Sequence, residues 1–408
     1  MARVSKRTSK GDWVAQKKHQ VRNVLTEVFT GQSAEFKTLV AIIGFMAVFG
    51  IIMVFSSSYV VSVKNAAGPF GEMRSQLIGV IAGAIAMTWF AYQKPQAVKA
   101  LGPIIMGIFV IAQLLILTTP LGKEVNGNRN WLNLGLFTVQ PSEFLKIGLI
   151  MMVASIVVNQ RNFHPDDYRF WIAPTAVFAV LFVLVGVFSK DMGTMIVMAG
   201  VLYGMYFMGG LPSQLLKWLT IGAALAIPLI FSTSGSRRGR ILAWLFPTQA
   251  DPNGFNWQGE HGKWAFAAGG LFGTGLGQSK MKWSWVPEAQ NDFIFAIIGE
   301  EFGMLGALFI IALFVFLGIT LMKIARKTND PYQRLFVYGV TFWIMVQAFI
   351  NISVVLTMLP VLGVNLPLIS AGGTSMSATL MVLGMVMGIE RANNQTGRFQ
   401  VISGGRKR

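Results

Sequence analysis

Two carboxylates stand where a glycine-rich segment runs into a long apolar stretch. Glu288 and Asp292 lie in GGLFGTGLGQSKMKWSWVPEAQNDFIFAIIGEE, residues 269–301. An ionised carboxyl near hydrocarbon costs several kcal/mol unless it is paired or hydrated, so acids at a membrane mouth indicate function. Glu300 and Glu301 follow inside the apolar stretch, about 12 Å beyond Asp292 at the rise of a helix. Because desolvation brings the pKa of a carboxyl closer to neutral pH, Asp292 is a candidate general base.

A second pair of charges begins another apolar segment. Glu143 and Lys146 in QPSEFLK are three residues apart and therefore share one helix face. Glu143 would also face the positive end of that helix. The pattern fits a functional pair lining a cavity and equally fits mutual neutralisation, so both interpretations stay open.

A third motif, NLPLISAGGTS at residues 365–375, combines proline, glycines and hydroxyl groups near the start of the last apolar segment. Such a run interrupts helical hydrogen bonding, and broken membrane helices line cavities. Ser370, Gly372 and Gly373 are therefore candidate substrate-binding residues. The alternative is a helix-packing patch of small residues. Asp191, beside Lys190 in SKDMGT, is predicted to be a solvated loop residue.

Composition sets the class of protein that must position these groups. The chain is 53% hydrophobic and only 12% charged, which excludes a soluble globule with a charged surface. A bilayer core about 30 Å thick needs runs of about 20 apolar residues in helices, since backbone groups must be satisfied internally. The sequence predicts an all-α integral membrane protein, a bundle of about ten transmembrane helices with one long external loop. The predicted spans are 38–58, 75–93, 100–119, 142–159, 170–188, 192–210, 214–233, 292–322, 334–359 and 366–389.

Lysines and arginines predict the orientation, because short cytoplasmic loops retain them. They concentrate in the N-terminal arm, in the turn around 323–334 and in the C-terminal tail. The prediction is a disordered cytoplasmic basic arm at 1–37, a membrane domain at 38–390 with an external loop at 234–291, and a cytoplasmic basic tail at 391–408. Asp292 then lies at the external mouth.

The net charge and its distribution indicate which classes of partner the protein binds. The formal charge of +17 resides in tails and short loops without a nucleic-acid reading module, so we expect anionic lipids and no nucleic acid. Six cations in the external loop go against the charge bias and predict an anionic ligand there: Arg237, Arg238, Arg240, Lys263, Lys280 and Lys282. The chain has no cysteine, which excludes disulfides and a cysteine nucleophile. Its three histidines are scattered and show no metal-ligand spacing.

The three motifs together carry a family resemblance. VPEAQNDFIFAIIGEEFG, QPSEFLK and LPLISAGGTS resemble, in order and spacing, the signatures of the SEDS proteins, the FtsW/RodA/SpoVE family. The likeness spans almost the whole membrane region. GLGQSKMKW and the long basic arm are more similar to FtsW, the division branch, than to RodA.

The resemblance implies a peptidoglycan glycosyltransferase that polymerises lipid II outside the cytoplasmic membrane for septal cell-wall synthesis. It implies work with a class B penicillin-binding protein and other division proteins. By motif, Asp292 matches the essential acid, and Glu143 with Lys146 matches a pair lining the same cavity. Glu288 and Lys282 fall in the approach to the acidic motif. The sequence departs from the family pattern at Asn130, Lys190, Gln290, Asn291 and Ala371.

The expected chemistry requires a base and charge stabilisation of a departing diphosphate. Asp292 is the predicted base. Lysine and arginine side chains suit the diphosphate, and a divalent cation, Mg²⁺ or Mn²⁺, is the alternative that the sequence leaves open. The predicted cationic contacts are Lys146, Lys280, Lys282, Arg237, Arg238 and Arg240.

Two functions of other classes remain. A lipid II flippase or transporter would use Glu300 and Glu301 for proton coupling. A non-catalytic division scaffold would use the basic tails to dock partners.

Overall fold

A computed structural model of the chain describes residues 32–64, 71–125, 128–135, 138–159, 167–232, 235–246, 256–283 and 285–404. The predicted arm at 1–37 lies almost wholly outside these residues, and the first helix begins at Ala34.

The described residues form a bundle of α-helices, which confirms the predicted fold class. The helices are α1 (Ala34–Lys64), α2 (Gly71–Tyr92), α3 (Pro95–Ala100), α4 (Gly102–Thr118), α5 (Pro141–Asn159), α6 (Ile172–Leu181), α7 (Met192–Gly209), α8 (Ser213–Ser232), α9 (Gly235–Leu245), α10 (Trp257–Gly269), α11 (Ile294–Lys327), α12 (Pro331–Val355) and α13 (Gly373–Gly404). A 3₁₀ turn, Tyr168–Trp171, precedes α6, and a π-helical segment, Phe182–Phe188, follows it.

Nine segments within the described residues are long and apolar enough to cross a membrane. They are Ala34–Tyr59, Met73–Tyr92, Pro95–Thr118, Pro141–Asn159, Tyr168–Phe188, Met192–Gly209, Ile294–Lys327, Pro331–Val355 and Gly373–Gln395. The remaining predicted span, 214–233, coincides with α8, a helix of 20 residues.

Helix ends follow local chemistry. Asp191 accepts the N–H of Thr194 at the start of α7, and Asp330 accepts the N–H of Gln333 at the start of α12. These are N-caps that satisfy otherwise unpaired backbone donors. Gly210 ends α7 with a φ of 94°, a left-handed conformation that glycine adopts without steric cost.

Small residues let the helices approach one another closely. α13 packs along α2, and a Cβ atom on Gly79 would overlap the backbone of Gly373. Close backbone contact of this kind is how membrane helices associate without a hydrophobic driving force between them.

Two predicted boundaries differ from the structure. The last helix begins at Gly373 rather than 366, because Leu368 and Gly372 have φ angles of 64° and 146° that no right-handed helix contains. The same helix continues beyond 390 to Gly404, so the predicted tail begins as helix.

The sequence did not predict a small antiparallel sheet between α4 and α5. Its strands are β1 (Gly122–Val125), β2 (Asn128–Asn133) and β3 (Thr138–Val139), in the order β1-β2-β3. A register shift between Lys123 and Glu124 interrupts the first pairing. This sheet lies beside α5 and contacts the chain before α7 and the start of α13, since the N–H of Arg129 donates to the Ser189 carbonyl at 3.2 Å and the Thr374 hydroxyl donates to the Thr138 carbonyl at 3.4 Å.

The predicted external loop, 234–291, contains α9 and α10. α10 packs on α11, where a Cβ on Gly269 would overlap the carbonyl of Gly299. At the opposite end of the bundle, Lys327 at the end of α11 pairs with Glu35 in the first turn of α1.

Candidate functional site

A cavity of about 1460 Å³ lies at the end of the bundle that carries the small sheet. It is bordered by the starts of α2, α5, α7, α11 and α13, so five helix N-termini point towards one space. Of the predicted site residues, seven line it: Asp292, Glu143, Lys146, Glu288, Arg240, Gly372 and Gly373.

Asp292 is one of three buried acids that line this cavity, with Glu143 and Asp191. Its side chain is 8% exposed, and its Oδ1 atom has no hydrogen-bond partner in the described part of the chain. Its main-chain carbonyl accepts a hydrogen bond of 2.8 Å from Nδ2 of Asn351. Burial raises the pKa of Asp292 to about 7, the negative charge of Glu288 adds to the rise, and the positive charge of Arg240 opposes it. A carboxyl with this pKa exchanges protons readily near neutral pH.

Glu288 stands in a tight turn before Asp292. It is exposed and has a φ of 55°, an unusual backbone conformation for a residue with a side chain. Asn291 holds this turn, because its N–H donates to the Glu288 carbonyl at 2.9 Å and its Nδ2 donates to Glu288 Oε2 at 2.5 Å. The turn therefore places a second negative charge close to Asp292.

Glu143 and Lys146 form a buried ion pair. Lys146 Nζ lies 2.8 Å from Glu143 Oε2 and 2.9 Å from Gln347 Oε1. It also lies 4.7 Å from the ring centroid of Trp343. Since Lys146 is only 1% exposed, these contacts replace the water that the ammonium loses. The pair is thus neutralised and also borders the cavity, so the geometry agrees with both interpretations of the motif.

Two amides in α12 join this pair to the rest of the site. Gln347 Nε2 donates to Asn365 Oδ1 at 2.7 Å, and Asn351 Nδ2 donates to the carbonyl of Val364 at 2.7 Å. The two amides are one helical turn apart in an apolar span and hold the same loop. Sequence reasoning missed them, although polar amides at this spacing in a membrane helix were the available signal.

Asp191 is a buried cavity residue, and its prediction as a solvated loop residue was wrong. Its carboxylate accepts hydrogen bonds from Thr194 N–H at 3.0 Å and the Thr194 hydroxyl at 2.8 Å. Gln140 and Ser142 donate to Oδ2 from the start of α5. Burial raises its pKa. Asp191 therefore joins α5 to α7 along the cavity wall.

Five cations line the cavity, and two of them, Lys146 and Arg240, were predicted to bind a diphosphate. The other three are Arg74, Lys123 and Lys190. Lys282 does not line the cavity, because its Nζ lies 3.2 Å from Glu301 Oε1 in a buried ion pair. Lys280 is exposed outside the cavity lining. The side chain of Arg237 lies outside the described residues.

The SAGG motif forms internal contacts rather than open donors. Ser370 is buried outside the cavity lining; its Oγ accepts the N–H of Leu366 at 2.8 Å. Gln76 spans the motif, since its Nε2 donates to the Ser370 carbonyl at 3.2 Å and its Oε1 accepts the Gly372 N–H at 3.0 Å. Ser370 is therefore not placed to touch a ligand in the cavity, and the N–H of Gly372 already has a hydrogen-bond partner. The packing alternative describes this motif better.

Glu300 and Glu301 do not line the cavity. Both side chains are buried and accept hydrogen bonds from the protein. The proton-coupling role that a transporter would need therefore has no support from their placement.

No three His, Cys, Asp or Glu side chains among the described residues lie close enough to hold a metal ion. A divalent cation beside Asp292 and Glu288 would need other oxygens as ligands. Mg²⁺ is commonly held in this way, by one or two carboxylates together with substrate phosphates. The two carboxylates fit that arrangement.

Comparison with known proteins places the chain among membrane proteins of the bacterial cell cycle. The FtsW/RodA/SpoVE family profile, described as cell cycle protein, matches residues 37–395. A probable peptidoglycan glycosyltransferase FtsW from Mycobacterium tuberculosis is 34% identical over 356 residues, 87% of this chain and 68% of that protein. Stage V sporulation protein E from Bacillus subtilis is 33% identical over 354 residues, 86% of this chain and 96% of that protein.

Solved structures share the fold. A chain from a peptidoglycan synthase complex that coordinates polymerization and crosslinking has a TM-score of 0.71 at 24% identity, covering 88% of this chain and 98% of that one. The rod shape determining protein RodA of Thermus thermophilus has a TM-score of 0.62 at 23% identity, covering 87% and 96%.

Proposed function

The chain belongs to the FtsW/RodA/SpoVE family of cell cycle proteins, and on this premise we infer that it is a peptidoglycan glycosyltransferase. It polymerises lipid II into glycan strands at the outer face of the cytoplasmic membrane, in septal cell-wall synthesis. Its similarity to proteins named FtsW supports the division role.

Asp292 carries the proposal. A buried carboxyl that lines a large cavity and has an oxygen without a hydrogen-bond partner among the described residues is placed to take a proton from a bound hydroxyl. Its pKa of about 7 suits a general base, because such a base works best when its pKa lies near the working pH.

The proposed reaction is a direct displacement. Asp292 accepts the proton of a sugar hydroxyl as the hydroxyl oxygen forms a bond to the anomeric carbon of the second substrate. The bond from that carbon to the diphosphate oxygen breaks on the opposite face, and the diphosphate leaves with the electron pair. The configuration at the anomeric carbon is therefore inverted.

The leaving diphosphate requires positive charge, and the cavity supplies it. Arg240 acts close enough to Asp292 to influence its pKa, while Lys123 and Lys190 also line the cavity. Hydrogen bonds from such cations to phosphate oxygens are about twice as strong as neutral ones. When bound, a divalent cation would supply the same neutralisation from the side of Asp292 and Glu288.

A membrane bundle suits these substrates because they are amphiphilic. The cavity wall includes Ile78 and Met381 besides its polar groups. The lipid tails would stay in the bilayer while the sugars and diphosphates meet at the cavity. We infer that this end of the bundle faces outward and that both termini are cytoplasmic, as the lysine and arginine bias predicts. The proposed partners are a class B penicillin-binding protein, other division proteins and anionic lipids.

The test is strand synthesis by purified protein. The protein, with and without a class B penicillin-binding protein, is incubated with lipid II, and glycan strands are resolved on a gel. Asp292→Asn should lower the rate by at least about a hundredfold, as removal of a general base does. Asp330→Asn, which changes an acid at the start of α12 outside the cavity, is the matched control. Near-normal synthesis by folded Asp292→Asn protein would refute the assignment.

The melting temperature of Asp292→Asn protein provides a control for folding, because the direction of its change with pH can be predicted. The pKa of Asp292 is raised on folding, so the stabilising contribution of its neutral form is present below its ordinary value of 3.8 and is lost as pH rises through about 7. Asp292→Asn protein should therefore melt at a higher temperature than the unsubstituted protein at pH 8 and at a similar temperature at pH 4.

A further inference from the structure

We propose that Glu300 is a positioning residue whose carboxylate fastens residues 279–281 to α11 and thereby holds the turn of Glu288 beside Asp292. This proposal rests on the proposed function of the same site. It assigns a role to an acid that the displacement itself does not use.

Glu300 collects three donors from one short segment. Its Oε2 accepts the Ser279 hydroxyl at 2.5 Å and the Met281 N–H at 3.4 Å. Its Oε1 accepts the Lys280 N–H at 2.8 Å. The side chain is 0% exposed. An ionised carboxylate has two accepting oxygens and forms stronger hydrogen bonds than a neutral amide of the same shape, which has one accepting oxygen and an NH₂ donor in place of the other.

The main chain of α11 near Glu300 also hydrogen-bonds to the glycine-rich segment that precedes residues 279–281. α11 is interrupted at Gly303, whose φ of 68° and ψ of −169° are not helical. The carbonyls of Glu300 and Glu301 accept the N–H groups of Thr274 and Gly275 at 2.9 and 3.0 Å. Backbone groups that an unbroken α11 would pair internally are thus satisfied by the glycine-rich segment, as a break inside a membrane protein requires.

The neighbouring acid, Glu301, holds Lys282, the residue that follows residues 279–281. Glu301 Oε1 accepts the Ser56 hydroxyl at 2.7 Å and lies 3.2 Å from Lys282 Nζ. Lys282 Nζ also donates to the Gly277 carbonyl at 2.6 Å. Ser56 belongs to α1, so this ion pair joins two membrane helices to the segment.

From this anchor the chain runs directly to the catalytic acid. Only residues 283–291 separate Lys282 from Asp292. α10 holds their middle, since Trp257 Nε1 donates to the Trp285 carbonyl at 2.8 Å and Gln258 Nε2 donates to the Pro287 carbonyl at 3.1 Å. The Glu288 turn is therefore held by α10 and by its own Asn291, and the position of its starting point depends on Glu300.

Burial of two adjacent acids in a membrane helix needs an explanation beyond stability. Apolar side chains of similar volume often stabilise a protein as well as a buried ion pair does or better, and in some proteins buried charged groups are retained because they define geometry. In this molecule the geometry concerns the distance between Glu288 and Asp292, which sets how strongly one charge acts on the other.

The test measures kinetics of Glu300→Gln protein with its penicillin-binding partner and lipid II. We expect kcat to fall about ten- to a hundredfold, the effect of a misplacement near 1 Å, with KM changed less than kcat. The charged groups acting on Asp292 are Glu288 from its own turn and Arg240 from α9. If Glu288 moves away, the rising limb of the pH-rate profile shifts to lower pH. Hydration of Asp292 in a loosened fold would shift the limb in the same direction, so Glu300→Gln is also measured in a Glu288→Gln background, where the positioning role predicts no further shift.

The matched control is Glu35→Gln, which removes an acid from an ion pair at the opposite end of the bundle. It should retain the kcat and the pH limb of the unsubstituted protein. Absence of strands from the unsubstituted protein would refute the proposed function itself. An unchanged kcat and pH limb in Glu300→Gln protein would overturn only the positioning role.

A milder variant keeps the test decisive if Glu300→Gln protein fails to fold. Ser279→Ala removes the 2.5 Å bond and leaves the carboxylate in place. We expect a smaller fall in kcat with the same direction of pH shift. A folded Ser279→Ala protein with unchanged kcat and pH limb would overturn the proposal.

Discussion

The side-chain amide of Asn351 donates a hydrogen bond of 2.8 Å to the main-chain carbonyl of Asp292. The same Nδ2 atom donates to the Val364 carbonyl at 2.7 Å. One amide in α12 therefore links the residue proposed as the base to the loop before α13.

We expect Asn351→Leu to leave both carbonyls without this donor. An unsatisfied buried group costs about 1–3 kcal/mol, so the variant should be less stable in detergent and slower in strand synthesis. Melting temperature and initial rate are the measurements. Asn393→Ala, which removes a hydrogen bond to Thr328 at the opposite end of the bundle, is the control for general destabilisation and should retain its rate. Equal rates in the two variants would show that the Asn351 link has no catalytic consequence.

The pH dependence of strand synthesis should report Asp292. The rate should rise with pH around a midpoint near 7, because only the ionised carboxylate accepts a proton. Glu288→Gln removes a negative charge that raises the pKa of Asp292, so the rising limb should move to lower pH. Initial rates from pH 5 to 9 decide this. A shift to higher pH would contradict the electrostatic relation between the two acids.

The ion pair of Glu143 and Lys146 can be separated into its two roles. Removing one partner leaves a buried charge, which costs about 3–5 kcal/mol, so each single change to Ala should lower the melting temperature. The double change should recover most of that stability. If the pair takes part in the reaction, the double variant should remain inactive. Recovery of both stability and activity would assign the pair to folding alone.

Substitution of a cation that lines the cavity should affect lipid II use more than substitution of an exposed cation outside it. Arg240→Gln should weaken lipid II use by about ten- to a hundredfold, corresponding to about 1.5–3 kcal/mol for a hydrogen bond to a charged group. Lys280→Gln makes the same charge change in the same external segment but outside the cavity lining, so it should leave polymerisation unchanged. Rates at varied lipid II concentration measure both. Equal losses would indicate a field effect of the whole segment rather than a diphosphate contact.

The orientation can be measured without background because the chain has no cysteine. Gln278→Cys, at an exposed position in the glycine-rich segment, should react with a membrane-impermeant thiol reagent added to intact cells. Ser5→Cys and Ser403→Cys should react only after the membrane is opened. Labelling of Ser5→Cys in intact cells would reverse the topology and place Asp292 on the cytoplasmic side.

Local sequence rules sufficed where a single segment carries the information. The apolar runs predicted the helices, and the family motifs indicated Asp292 and the pair of Glu143 and Lys146, all of which the structure places at one cavity. Hydropathy and motif spacing are properties of residues that are close in sequence, so both can be recognised without knowledge of the fold.

The direction in which each charged side chain points could be determined only from the tertiary structure. Lys282 and Arg240 both lie in the external segment, yet Lys282 turns to Glu301 while Arg240 borders the cavity. Asp191 reads as a solvated turn residue but is enclosed where α5 meets α7.

The sequence alone therefore determined the membrane class and the bundle of helices, and it indicated the acid that we propose as the base. Only the tertiary structure decided which cations line the cavity and which acids are engaged by the protein itself. The physical reason is that a charge inside a membrane protein must find a partner, and in this chain those partners are far away in sequence: 245 residues separate Ser56 from Glu301, and 201 separate Lys146 from Gln347.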